Sequence, residues 1–168
     1  NMIVVTRDIE NTESIYLVFY AWNGNEWEQK NFIVEEVEDV GLIFSADISG
    51  TTALVGFPQA DSASGNGEGV AYMYNQNSLG FWGKSASSIL PDDATTGFGD
   101  SINVDGDLAC VSAEGNGQDG SYVHVFKLEG EEWVQQDTMG PFGFVDTCTV
   151  SGDTIAVKIY QGDLNLYK

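Results

Sequence analysis

The chain has 168 residues, 42% of them hydrophobic and 12% aromatic, which is enough apolar material for one core and too much for a disordered segment. Its 26 acidic residues against 6 basic ones give a formal charge of −20. Such a field repels phosphate backbones and anionic lipid, which argues against nucleic acid and direct membrane insertion as partners, and no apolar run approaches the ~20 residues that span a bilayer.

In chain order, Asn1-Met2-Ile3-Val4-Val5 opens in strand pattern, without the basic leader and long apolar region of a signal peptide. An asparagine opening inside a strand reads as a mature or excised piece. Ile15 to Tyr20 is an aromatic strand; the turn Asn23-Gly24-Asn25-Glu26 follows, and Trp27 opens another strand. Glu35-Glu36-Val37-Glu38-Asp39 is the one stretch with helical propensity, but it has no 3.6-residue apolar stripe and reads as a connector.

From residue 41 a paragraph is written three times. Gly41-Leu42 leads through Asp47-Ile48-Ser49-Gly50 into Ala53-Leu54-Val55-Gly56; Gly97-Phe98 through Asn103-Val104-Asp105-Gly106 into Ala109-Cys110-Val111; Gly143-Phe144 through Thr149-Val150-Ser151-Gly152 into Ile155-Ala156-Val157. The turn glycines Gly50, Gly106 and Gly152 are spaced by 56 and 46 residues, a period that belongs to solenoids, propellers or arrays. Aromatic third strands, Val70 to Tyr74 and Tyr122 to Phe126, lead to Trp82 and Trp133 as the first leads to Trp27. Each unit is thus predicted to be a four-stranded antiparallel meander. A meander with two apolar faces must stack on its copies, and radial stacking is a β-propeller. The expected fold is all-β: about three and a half blades, as a partial blade over 1–36, blades over 37–91 and 92–139 and a partial blade over 140–168. Fewer than four blades predicts completion by further blades of the same chain or by another subunit.

The segment Gly97-Phe98-Gly99-Asp100 through Asp105-Gly106-Asp107 to Val111-Ser112-Ala113, with Gly56-Phe57-Pro58 in the preceding unit, resembles the FG-GAP repeat of integrin-α-like β-propellers. The resemblance covers nearly the whole chain, with one good copy and weaker ones. It implies a seven-bladed propeller used for extracellular or envelope-associated recognition; rigid blades, polar loops and the lack of a catalytic constellation give the expectation of a non-enzymatic scaffold for protein or glycan recognition or for assembly, extracellular or at the cell surface. Many such repeats hold calcium in a loop of alternating carboxylates. Here Asp105-Gly106-Asp107 supplies two and Asp47 or Asp153 only one, so the chain is similar to the calcium-poor variety, and Asp105 and Asp107 are expected to cap local amides in an Asx-type turn. A calcium-stabilised adhesion module, or part of a hydrolase or lyase whose catalytic residues lie outside this segment, are the alternatives.

No catalytic, metal or cofactor residue is assigned. His124, the only histidine, alternates with valines in a strand and reads as structural rather than as a general base. Cys110 and Cys148 lie in strands that neighbouring units would bring close, so they read equally as a disulfide or as two buried thiols. The glycine-rich stretches 64–69 and 114–120 lack the Lys-Ser/Thr pair and following helix of a phosphate loop. Occupying equivalent places between second and third strands, they are where a binding surface is expected. Trp27, Trp82 and Trp133 are expected in packing between blades, whereas Trp22 falls outside the equivalent positions.

Overall fold

The computed structural model describes residues 1–7, 14–36, 45–60, 67–91, 96–114, 120–160, 162 and 164–168. The described residues contain strands and no helix, and the strands make four antiparallel meanders. Strands β1 (Met2–Arg7), β2 (Ser14–Trp22) and β3 (Trp27–Glu36) form the first sheet. The second holds β4 (Ser45–Ser49), β5 (Thr52–Phe57), β6 (Val70–Gln76) and β7 (Trp82–Ile89). The third holds β8 (Ile102–Asp105), β9 (Leu108–Glu114), β10 (Ser121–Glu129) and β11 (Glu132–Phe142), and the fourth β12 (Val145–Ser151), β13 (Thr154–Ile159) and β14 (Leu164–Tyr167).

Alternation decides which side chain faces which neighbour, because successive residues of a strand point to opposite faces. Ile15, Leu17 and Phe19 of β2 pack on Ala53, Val55 and Tyr74 of the second sheet. From that sheet's other face Leu54, Ala71 and Met73 meet Val104, Val111 and Phe126 of the third. Cys110, Val123 and Val125 then turn toward Val150, Ile155 and Val157 of the fourth. Inner strands are therefore apolar at almost every position, as β5 is, because both faces are covered.

The Gly-Phe pair of the third unit explains itself here. Phe98 is fully buried, edge-on to Phe126 with ring centroids 5.9 Å apart. Its backbone bridges to Gly69 across from the second sheet. A Cβ built on Gly56 would lie 2.1 Å from the Gly99 carbonyl oxygen, so two backbones touch where the Gly-Phe-Gly and Gly-Phe-Pro segments cross. Gly143-Phe144 does not repeat this. Phe144 is 72% exposed and Val145 takes the core position, as Phe144 is followed by valine rather than by a glycine with positive φ. Gly41-Leu42 lies outside the described residues.

The acidic connector expected at Glu35 to Asp39 is corrected in its first half. Glu35 and Glu36 close β3, residues 37–39 lying outside the described residues. Glu35 is buried against the second sheet, its Oε2 2.6 Å from Lys84 Nζ, and Lys84 stands 3.5 Å over the Tyr72 ring. A carboxylate there needs a cation, and Lys84 supplies it. Burial, together with the nearby Glu35 carboxylate, pushes the Tyr74 hydroxyl far above the ordinary phenol value.

Candidate functional site

The first strands of the units, β4, β8 and β12, run side by side and are joined by a ladder from side chains to backbone. Asp47 Oδ2 accepts from Val104 N at 2.8 Å and from Asn103 Nδ2 at 2.6 Å. One sheet on, Asn103 Oδ1 accepts from Val150 N at 2.6 Å and from Thr149 Oγ1 at 3.1 Å. Two residues later the pattern recurs: Gly106 N donates to Ser49 Oγ at 3.0 Å and Gly152 N to Asp105 Oδ2 at 2.8 Å. The second sheet thus satisfies edge amides of the third and the third those of the fourth, as a row of unpaired strand edges requires.

This corrects the local reading of the acidic turn. Asp105 caps an amide 47 residues away, not one in its own turn, while Asp107 sits 3.8 Å from Lys127. Both positions recur before the turn glycines Gly50, Gly106 and Gly152 of the last three units, as Asp47, Asn103 and Thr149 and as Ser49, Asp105 and Ser151, always with an oxygen-bearing side chain. That recurrence was the signal available in the sequence. Among the described residues no three His, Cys, Asp or Glu side chains gather as a metal site.

His124 is buried, its Nδ1 3.2 Å from Thr138 Oγ1 and its ring edge-on to Phe98 at 5.6 Å, a structural placement. Cys110 and Cys148 are joined in a disulfide with Cα atoms 6.2 Å apart, tying β9 of the third sheet to β12 of the fourth.

The tryptophans separate by position in the stack. Trp82 is 4% exposed and stacks on Phe19 of the first sheet, centroids 4.7 Å apart and planes 9° from parallel. Trp133 donates its Nε1 to Met73 Sδ of the second sheet at 3.0 Å. Trp27 belongs to the first sheet and is 46% exposed, meeting Trp22 edge-on at 5.7 Å. Trp22 is not aperiodic: it pairs with Trp27 as Gln76 pairs with Trp82 and Leu128 with Trp133.

Where the β5–β6 loop of the second sheet meets the start of the third, a cleft of about 310 Å³ opens between Gln59, Gly67, Thr96, Asp100 and Glu114. This is the loop end singled out by the glycine-rich stretches, of which 64–66 and 115–119 lie outside the described residues. Burial raises the Asp100 carboxyl above its ordinary value. Two acids lining one cleft suit hydroxyl or ammonium donors. A wider cleft of about 410 Å³ lies between the third and fourth sheets over Val125, Met139 and Tyr167. Val125 in this cleft holds the register of Phe19 and Met73, on which Trp82 and Trp133 rest, so the cleft lies where the inner junctions of the stack seat an indole.

No family model matches this chain, and no curated protein matches it in sequence.

Proposed function

We propose that the chain is a run of β-propeller blades of the FG-GAP kind that serves as a non-enzymatic scaffold for recognising a protein or glycan outside the cell or at its surface. The observation that carries the reading is the indole contact made twice at one repeat position, Trp82 on Phe19 and Trp133 on Met73. Sheets that hand the same side chain to the same place on their neighbour are built as a series, and a series of four-stranded meanders is what a propeller is made of. The edge-to-edge ladder of β4, β8 and β12 supports an axis lined by first strands. A disulfide within the chain supports an oxidising compartment.

Recognition is assigned to the loop end, at the cleft of Asp100 and Glu114. The test is binding of labelled chain to arrayed glycans and to a panel of purified extracellular domains, beside the double variant Asp100→Asn/Glu114→Gln. At least one class of array spot is expected to hold the wild-type chain and to lose the variant by tenfold or more. Equal retention of both proteins would remove the loop end from the function, and hydrolysis of an arrayed glycan would remove the scaffold reading.

A further inference from the structure

The two outer faces of the stack carry the two halves of the contact that the inner sheets make with each other. Second-strand valines Val4, Val55, Val111 and Val157 hold one register position, each beside Ile3, Leu54, Cys110 or Ala156, which pair with Phe19, Met73, Val125 and Leu166. Val55, Val111 and Val157 are fully buried under the preceding sheet, whereas Val4 is 41% exposed. Around Val4 the outer face of the first sheet presents Tyr20, Trp22, Trp27, Phe32 and Val34, since Ile3, Val5 and Ile33 take the inward positions. At the other end Leu166 occupies the register of Phe19 and Met73, the two residues that receive an indole, and it is 67% exposed beside Leu164.

We infer that the outer face of the first sheet docks on the outer face of the fourth sheet of a second copy of this chain, with Trp27 seated on Leu166. The inference rests on the blade reading above and adds the partner to it. The contact continues an interface type already made at the two inner junctions, where Trp82 and Trp133 bridge a sheet to the one before it. It is head-to-tail, so two different patches meet, and repetition closes a ring or extends a fibre. A formal charge of −20 on each copy opposes it. Salt therefore strengthens it, through a Debye length that falls from about 8 Å at 0.15 M to about 3 Å at 1 M. An apolar contact gains from screening where an ion-paired one loses.

Light scattering and sedimentation of the 168-residue chain at both salt concentrations test this. At about 1 M salt the mass is expected to be at least twice the 18.2 kDa of one chain. Trp27→Glu and Leu166→Glu change exposed side chains, and circular dichroism checks that both fold. Each variant alone is expected to stay monomeric. An equimolar mixture is expected to recover a 1:1 dimer, because one variant keeps the fourth-sheet face and the other the first-sheet face. Self-association of Leu166→Glu at wild-type strength would mean that first-sheet faces pair with each other, and overturns the inference. So does a wild-type chain that is monomeric at every salt concentration. If in that monomer Trp82→Ala is strongly destabilising, the blade packing stands without the end-to-end contact; if it is not, both readings fail together.

Discussion

Trp82 and Trp27 hold the same place in two copies of the repeat, and the difference between them isolates what a neighbouring sheet is worth. Truncating Trp82 to alanine removes a 4% exposed indole that lies flat on Phe19. Buried Trp→Ala changes cost about 3–5 kcal/mol from lost transfer energy and the residual cavity, and the stacked pair adds about 1 kcal/mol. A loss of about 4 kcal/mol, with a urea slope of about 2 kcal/mol/M, moves the unfolding midpoint down by about 2 M. Trp27→Ala removes a half-exposed ring whose ring partner is Trp22, and in the monomer its cost is about 1 kcal/mol or less. Urea unfolding followed by circular dichroism at low salt and low concentration, with monomer verified by light scattering, measures both. Trp82→Phe adds a control: the buried Nε1 of Trp82 has no hydrogen-bond partner among the described residues, so phenylalanine forfeits volume but no bond and falls well short of the alanine loss. Equal costs for Trp27→Ala and Trp82→Ala would refute the argument that inter-sheet packing, rather than strand propensity, places these tryptophans.

Reducing the Cys110–Cys148 bridge, or replacing both residues with alanine, opens a loop of 38 residues and costs about 4 kcal/mol by loop-closure entropy; a melting temperature lower by about 10 °C is expected, and an unchanged melt in reductant would sink the expectation. Asp100→Asn should raise the melting temperature at neutral pH. Burial raises the Asp100 pKa in the folded state, so the folded chain holds that proton more tightly than the unfolded one. The wild type is then relatively more stable below the ordinary carboxylate range and loses that advantage as pH rises through the raised value. Melts across that range should show the variant's advantage shrinking as pH falls, and a variant less stable at neutral pH would reverse the reasoning.

The strands and their grouping were written in the sequence because they rest on local rules. Period-two alternation, turn glycines such as Gly106 and Gly152, and the Trp punctuation all act within a few residues of where they are read. The two apolar faces of Tyr122 to Phe126 even announced that a sheet would lie on either side. What only the tertiary structure decided is which identical-looking residues are covered and which oxygens are spoken for. Trp27 and Trp82, or Phe98 and Phe144, have equivalent places in the pattern and opposite exposures, because burial depends on a neighbouring sheet and on the backbone that presents the ring. Asp105 looked like a turn cap and serves an amide 47 residues away; Cys110 and Cys148 became a bridge. A sequence carries the period of a repeat in every copy, but the position of a copy in the stack is a property of the assembled sheets, and that position sets the environment of each repeated side chain.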